Sequence, residues 1–320
     1  MEFAYLGPRG TFTEAALRRL PAAKGAATVP MPSIPEILDA VRRGDVAAGF
    51  VPIENSQEGT VTLTVDELVG GDPLVIAGEV VLPVTFVLAS AKPLAEVATV
   101  ASHPHAIAQT RGYLRRELPN AAVHQALSTA QAAQRVADGE FDACVCAPFT
   151  AEAAGLPVQA FDIGDSSGAE TRFVHVVRPA APPEPTGNDI TSLVVSIDHD
   201  RVGALLAVLT ELAIRGINLT RIESRPTGEG LGRYAFFLDC TGHLADARMG
   251  EALTGLRRIC ADVRYLGSYP RDHSDRPVPH PEGSRTATSP TPRPGWSACA
   301  RGRGLSAAPL PRTPRQGPRA

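Results

Sequence analysis

The stretch of sequence that decides the fold of the C-terminal part is residues 201–226, RVGALLAVLTELAIRGINLTRIESRP. Apolar residues recur at helical spacing up to Arg215, Gly216 marks a tight turn, and the residues from Asn218 onward have the pattern of a strand. The flanking segments complete a βαββαβ unit of the ferredoxin-like type. Its predicted elements are strand Ile190–Ile197, helix Val202–Arg215, strand Asn218–Arg225, strand Arg233–Asp239, helix Leu244–Ile259 and strand Asp262–Tyr269.

Residues 1–178 have a different organisation, because short apolar strands alternate there with helical patterns. This alternation predicts an α/β domain with parallel sheets covered by helices. A long apolar stretch, Leu74–Ala89, interrupts the alternation and is expected to join two α/β lobes. A cleft between two lobes is a common place for a small-molecule site.

The amino-acid composition predicts the remaining domain boundaries. Residues 179–189 are rich in proline and are predicted to be a linker, and residues 190–269 form the ferredoxin-like unit. Residues 270–320 are rich in Pro and Arg and carry almost no apolar periodicity, so we predict a disordered tail. We therefore expect two folded parts, residues 1–178 and 190–269, which are joined by the linker and followed by the tail.

Charge and hydropathy exclude several classes of function. The 320 residues carry a net charge of -3 and are 43% hydrophobic, which gives no electrostatic basis for binding nucleic acid or an anionic membrane. No apolar stretch is long enough to cross a bilayer. The N-terminus lacks the pattern of a secretory signal, and we expect a cytoplasmic protein. Because no metal cluster, phosphate loop or dinucleotide motif is present, we expect no cofactor and no metal.

Two strand-to-helix turns in the first half carry candidate binding groups. The sequence PIENSQEGT places a dense polar cluster after a buried strand, and the carboxyl ends of strands are where α/β sheets bind ligands. Its candidate residues are Glu54, Asn55, Ser56 and Thr60. In the turn after the first strand, Thr13 is the expected N-cap, which would leave Thr11 free for a ligand near the helix-start amides.

Two later segments add further candidates. We expect Ser102 to cap a helix that has Pro104 in its first turn, and His103 to contact an anion or act as an acid. In the sequence Glu170-Thr171-Arg172-Phe173, strand alternation predicts that Thr171 and Phe173 share one face while Arg172 lies on the other, unless a bulge intervenes. Arg172 could pair with a carboxylate of a ligand or with a structural acid.

Taken together, these segments resemble the prephenate dehydratase family with an attached ACT regulatory domain. The resemblance covers about residues 1–269. The matching segments are Gly7–Phe12, Pro52–Ser56, Ser102–Pro104 with Gln109, Thr171–Phe173, Gly203–Leu206 and Glu223–Pro226.

The resemblance implies a two-lobed catalytic domain like the type II periplasmic binding proteins, with its site in the cleft. It implies dehydration and decarboxylation of prephenate to phenylpyruvate, feedback by L-phenylalanine, and a homodimer or homotetramer. Thr171 matches the family's catalytic hydroxyl, and Glu54 and His103 are candidates for an acid because burial can tune either one. The expected substrate-binding residues are Thr11, Asn55, Ser56, Thr60, Ser102, Gln109, Arg172 and Phe173.

The ACT unit is expected to bind phenylalanine in a pocket at a subunit interface. Polar groups would hold the amine and carboxylate while apolar side chains flank the ring. The expected effector-binding residues are Gly203, Ala204, Leu205, Leu206, Asn218, Glu223, Ser224, Arg225 and Pro226.

Two alternatives remain open. Arogenate dehydratase performs the same chemistry on an amino-acid substrate. A non-catalytic sensor of an amino acid or aromatic acid is the second alternative, although the retained Thr171 hydroxyl argues against it. The sequence also departs from the family pattern in lacking an Asn shortly before Thr171, where it has Ser167, Gly168, Ala169 and Glu170.

Overall fold

The computed structural model describes residues 1–197, 202–227 and 234–272. Within them the chain forms three β-sheets flanked by helices. The strands are β1 (Glu2–Leu6), β2 (Ala27–Met31), β3 (Ala48–Asn55), β4 (Gly59–Thr60), β5 (Val75–Pro83), β6 (Val87–Ser90), β7 (Thr99–Ser102), β8 (Ala122–Gln125), β9 (Ala143–Cys146), β10 (Val158–Ala160), β11 (Glu170–Val177), β12 (Asp189–Ser196), β13 (Leu219–Pro226), β14 (Tyr234–Thr241) and β15 (Asp262–Pro270). The helices are α1 (Phe12–Arg19), α2 (Ile34–Arg43), α3 (Thr62–Val69), α4 (Pro104–Gln109), α5 (Arg111–Glu117), α6 (Thr129–Ala137), α7 (Pro148–Ala153), α8 (Ala204–Ala213) and α9 (Ala247–Ile259).

The first half forms the two predicted lobes, each around its own sheet. The first sheet has the order β2-β1-β3-β11-β5 with β4 paired to β3, and the second has the order β10-β6-β9-β7-β8. The predicted crossing stretch Leu74–Ala89 divides into β5 in the first sheet and β6 in the second. The chain returns through β11, which is inserted between β3 and β5. The two-lobed α/β fold class is confirmed.

The prediction of parallel sheets is wrong, because both sheets are mixed. Strands β1, β2 and β3 run parallel, but β11 is antiparallel to both β3 and β5. In the second sheet β6 is antiparallel to β9 and β10. The strands that break the parallel order are those entering from the other lobe, so the mixed topology follows from the two crossings.

The C-terminal unit has the predicted order βαββαβ, formed by β12, α8, β13, β14, α9 and β15. Its sheet is antiparallel with the order β13-β14-β12-β15. One face of this sheet packs on helices α8 and α9. The opposite face belongs to the same apolar core as the first lobe. It contributes Ile190, Val194, Ala235, Phe237, Leu266 and Tyr269 to that core.

Helix capping differs from the predictions at two sites. Thr11, rather than Thr13, is the N-cap of α1 and accepts from the N–H of Glu14, while Thr13 is buried within the helix. His103, rather than Ser102, is the N-cap of α4. In both cases two side chains within reach can cap the helix, and the backbone geometry selects the one directly before the first helical residue.

The chain beyond the last strand is described only as far as Asp272. The N–H of Val81 donates to Asp272 Oδ2 at 2.7 Å, and the N–H of Asp272 donates to Glu79 Oε1 at 3.1 Å. The first residues of the predicted tail are therefore held against the first lobe. The rest of that tail, from residue 273, lies outside the described residues.

At Gly267 the backbone of the C-terminal unit lies close to the first lobe. Its φ is 134°, and a Cβ placed there would lie 2.1 Å from the carbonyl oxygen of Ile76 on β5. A side chain at this position would force the two sheets apart. The Gly267→Ala variant is therefore expected to lose about 2 kcal/mol or more of unfolding free energy, measured by urea denaturation.

Gly250→Ala is the matched control, because nothing lies within 4 Å of the corresponding Cβ on helix α9. This second change should be neutral, or stabilising by up to about 1 kcal/mol, since Ala favours a helix more than Gly does. Equal stability of the two variants would contradict the close approach at Gly267.

Candidate active site

Thr171 and Asn55 form a hydrogen-bonded pair on neighbouring strands. They are register partners on β11 and β3, and Asn55 Nδ2 donates to Thr171 Oγ1 at 2.8 Å. Both lie near the end of β3 that continues into the polar turn 56–58. Asn55 and Thr171 belong to two separate candidate segments and are 116 positions apart in the sequence, and the fold brings them together.

The orientation of the Asn55 amide is fixed by its backbone contacts. Its Oδ1 accepts from the N–H groups of Gln57 and Glu58, each at 2.9 Å, so Nδ2 must face Thr171. Thr171 Oγ1 is therefore an acceptor in this pair. Within the described part of the chain it has no other hydrogen-bond partner, which leaves the hydroxyl proton for a ligand.

Ser56 holds the polar turn onto β11. Its N–H donates to the Glu170 carbonyl at 2.9 Å, and its Oγ accepts from the Glu170 N–H at 2.9 Å. Ser56 is thus bonded to Glu170, the residue that directly precedes Thr171 on β11. The contacts favour a positioning function for the Ser56 hydroxyl, and its predicted contact with substrate stays a prediction.

Glu54 lies on the opposite face of the sheet from the Asn55–Thr171 pair. It is the register partner of Arg172, and its carboxylate is 3.6 Å from the Arg172 guanidinium. Successive residues on a strand face opposite ways, so Glu54 points away from Thr171. The two candidate catalytic groups do not face the same space.

Arg172 does not point into the cleft between the lobes. Its Nε donates to Glu79 Oε2 at 2.6 Å, its Nη1 to Asp239 Oδ2 at 2.7 Å, and its Nη2 to the Tyr269 hydroxyl at 2.8 Å. Of the two partners considered from the sequence, the structure supplies the structural acid. Burial alone would lower the pKa of Arg172, but Asp239, Tyr269 and Glu79 raise it well above its usual value.

A cavity of about 230 Å³ lies on this face, between the first lobe and the C-terminal unit. Three arginines and three glutamates line this cavity. Their charges balance, so the cavity offers no excess positive charge to a dianion. Those residues are Arg172, Arg221, Arg271, Glu54, Glu79 and Glu170.

Three other predicted ligand contacts have structural partners. Thr11 is buried and donates to the Leu6 carbonyl at 3.2 Å, and Phe173 is buried and stacks on Phe50 with 5.7 Å between ring centroids. Ser102 is fully buried and donates to the Val145 carbonyl at 2.6 Å. Their side chains stabilise the sheets and the α1 turn, and their predicted contacts with substrate stay predictions.

The second lobe contributes His103. Its Nδ1 accepts from the N–H of His105 at 3.3 Å, and His105 is exposed. Burial lowers the pKa of His103, nearby His105 lowers it further, and Glu58 acts in the opposite direction. The net shift favours the neutral imidazole.

Contacts between the lobes close the cleft at two places. Gln109 Nε2 donates to Glu58 Oε1 at 3.4 Å, and Thr150 Oγ1 donates to the Gly10 carbonyl at 2.7 Å. Phe12 also meets Phe86 and Phe149 edge to face. Gln109 is thus the predicted residue that links the lobes directly.

A cavity of about 400 Å³ lies between the lobes beside Gln109 and Glu58. Sequence reasoning missed Arg111, which lines this cavity and has a guanidinium suited to a carboxylate. Asp165, another lining residue, accepts from the N–H groups of Gly112 and Tyr113 at the start of α5. The signal available in the sequence was an arginine two residues after Gln109.

The candidate effector residues of the C-terminal unit lie in two groups. Gly203 is the N-cap of α8 with φ 76°, and Ala204 begins that helix. Leu205 packs against the core, whereas Leu206 is 67% exposed. Asn218 lies in the turn before β13, where its carbonyl accepts from the N–H of Thr241.

The Glu223–Pro226 segment forms the second half of the edge strand β13. Ser224 and Pro226 pair with Phe236 and Tyr234 on β14. Glu223 and Arg225 also pair with β14, and their side chains contact the first lobe. Glu223 Oε2 accepts from Thr60 Oγ1 at 3.0 Å. Arg225 forms a bidentate ion pair with Asp66, with Nε donating to Oδ1 at 2.7 Å and Nη2 donating to Oδ2 at 2.8 Å.

Thr60 therefore faces the C-terminal unit, since its hydroxyl also accepts from Arg221 Nη2 at 2.9 Å. Its predicted contact with substrate, like the effector contacts of Glu223 and Arg225, stays a prediction. In residues 1–197, 202–227 and 234–272 no helix has the length and apolar character needed to cross a membrane.

Comparison with known proteins identifies both parts of the chain. Residues 3–181 match the family model of prephenate dehydratase, and residues 191–258 match the ACT domain. A prephenate dehydratase of Amycolatopsis methanolica is 50% identical over 269 residues, which are 84% of this chain and 88% of the relative.

Two solved structures are similar along most of the chain. The prephenate dehydratase of Arthrobacter aurescens in complex with L-Phe has a TM-score of 0.83 and 44% identity, covering 89% of this chain and 94% of that one. GqqA, described as a novel type of quorum-quenching acylase, has a TM-score of 0.73 and 28% identity, covering 84% and 98%. The match over more than half of the chain, together with this identity, shows that the chain belongs to the prephenate dehydratase family, with a C-terminal ACT domain.

Proposed function

We propose that this protein converts prephenate to phenylpyruvate, with the Thr171 hydroxyl as the group that assists departure of the ring hydroxyl. The observation that carries the proposal is the Asn55–Thr171 hydrogen bond, which leaves the threonine proton available. Membership of the family supplies the substrate class.

The reaction needs little covalent chemistry from the protein. The bond from the ring to its carboxylate breaks and releases carbon dioxide, and its electron pair enters the ring. The carbon–oxygen bond of the ring hydroxyl breaks at the same time, and the departing hydroxide takes up a proton to become water. Aromatisation drives both steps, so the main requirement is to stabilise charge on the leaving oxygen.

The Asn55–Thr171 pair meets that requirement. A donor on Thr171 Oγ1 polarises the hydroxyl and strengthens the hydrogen bond that its proton makes to a negative oxygen. Because the Asn55 amide is held by two backbone N–H groups, the pair needs no reorganisation when charge develops. Glu54 faces the other side of the sheet, so His103 is the titratable candidate that comes from the opposite lobe.

We further propose that the ACT domain mediates feedback by L-phenylalanine within a homodimer or homotetramer. Exposed apolar residues lie on α8, at its C-cap and on the edge strand β13, namely Leu206, Ile214 and Ile222, where a second copy would bury them. The relative from Arthrobacter aurescens was solved in complex with L-Phe. The cytoplasmic location expected from the sequence stays a prediction.

The first test removes the catalytic hydroxyl. Thr171→Val should lower kcat for phenylpyruvate formation from prephenate by about 10²- to 10³-fold, the usual effect of losing one transition-state donor. Thr171→Ser should stay within about 10-fold of wild type because the hydroxyl is kept. Equal loss in both variants, or no loss in Thr171→Val, would remove the hydroxyl from the mechanism.

The second test reverses the hydrogen bond. In Asn55→Asp one oxygen still accepts from the N–H groups of Gln57 and Glu58, but the other accepts the proton of Thr171 instead of donating to its oxygen. The kcat should fall about as far as in Thr171→Val, by 10²-fold or more. Asn120→Asp adds the same charge at an exposed position and should leave kcat unchanged. Wild-type kcat in Asn55→Asp would contradict the proposed polarity of the pair.

The third test addresses assembly and feedback. Leu206→Asp places a charge in the proposed interface, so light scattering should show a smaller assembly and inhibition by phenylalanine should weaken by about 10-fold or more. Val123→Asp is the control, because Val123 is 46% exposed on the edge strand β8 of the second lobe. Unchanged mass and unchanged inhibition in Leu206→Asp would place the interface elsewhere.

A further inference from the structure

The polar cluster between the catalytic and ACT domains centres on Arg172, the residue next to Thr171. Its guanidinium lies between Glu79 on β5, from the catalytic domain, and Asp239 and Tyr269 on β14 and β15, from the ACT domain. The side chains of Glu79 and Asp239 are 3% and 0% exposed. A buried carboxylate is costly unless it is paired, so the cluster strongly favours one arrangement of the two domains.

The groups on the ACT side of the cluster are also hydrogen-bonded to one another. Ser192 on β12 hydrogen-bonds to Asp239 Oδ1, and its Oγ lies 2.7 Å from the Tyr269 hydroxyl. These three residues lie on adjacent strands, β14, β12 and β15. A shift of one ACT strand against the others therefore changes the position of the groups that hold Arg172.

The catalytic side transmits such a shift over a very short distance. Arg172 and Thr171 are consecutive on β11, which pairs with β3 and β5 and so is held on both sides. The Asn55–Thr171 hydrogen bond joins β11 to β3 at this same point. A displacement of the Arg172 backbone by a fraction of an ångström would alter that bond.

We propose that Arg172 is a positioning residue, which couples the ACT sheet to the Thr171 hydroxyl through its ion pair with Asp239. The proposal rests on the proposed function of Thr171. The ACT domain then supports the active site directly, and a ligand that moves the ACT strands changes catalysis by moving β11. Such a ligand acts only to the extent that it binds the two arrangements with different affinity.

Asp239→Asn tests the ion pair, because it keeps the size of the side chain and removes its charge. The kcat should fall by about 10- to 100-fold, with KM within about two-fold of wild type, since the substrate contacts are untouched. The factor by which saturating phenylalanine lowers kcat should shrink, while phenylalanine still binds as measured by calorimetry. A change of stability alone would not produce this combination.

Arg264→Gln is the matched control. Arg264 on β15 also joins the two domains, since its Nη1 donates to the Gly70 carbonyl at 3.0 Å, but it precedes Tyr269 on that strand by five residues and is not part of the Arg172 cluster. It should keep the wild-type kcat and phenylalanine response. If folded Asp239→Asn behaves like Arg264→Gln, the proposal is overturned.

A measurement on the wild-type protein covers the case in which Asp239→Asn does not fold. Saturating phenylalanine should change amide hydrogen exchange in the peptide that contains residues 170–173, and unchanged exchange there would overturn the proposal. Wild-type protein that does not convert prephenate would overturn the proposed function and this proposal together. If the wild-type protein converts prephenate but Asp239→Asn behaves like Arg264→Gln, this proposal alone is overturned.

Discussion

Strand β11 is the constraint on which the rest of the molecule depends. It returns from the second lobe and pairs with β3 on one side and β5 on the other. Because neighbouring residues of a strand face opposite ways, it presents Thr171 to one side of the sheet and Arg172 to the other. The candidate catalytic group and the anchor of the ACT domain are thus fixed by a single backbone segment.

The two faces of this sheet have different electrostatic characters. On the Arg172 face, buried positive and negative charges are paired and the side chains are committed to one another. On the Thr171 face, the Asn55 amide is oriented by backbone groups, and the threonine proton has no acceptor among the residues that the structure describes. The first arrangement suits a rigid support, and the second suits stabilisation of charge that appears during a reaction.

Much of this could be predicted from local patterns. Periodicity predicted the two lobes and the order βαββαβ, and strand alternation predicted that Arg172 faces away from Thr171, in agreement with the structure. The residues that occupy the other face could not be predicted, because Asp239 and Tyr269 are distant in sequence and meet Arg172 only through domain docking. The caps Thr11 and His103 were missed because a hydroxyl-bearing residue, Thr13 or Ser102, lies within two positions of each.

A crystal structure with a bound, unreactive analogue of prephenate would test the central claim most directly. We expect the ring hydroxyl of the analogue within about 3 Å of Thr171 Oγ1, the distance of a hydrogen bond, with Arg172 still bound to Asp239. An analogue bound in the cavity on the opposite face, with its carboxylate on the Arg172 guanidinium, would contradict the assignment of the two faces.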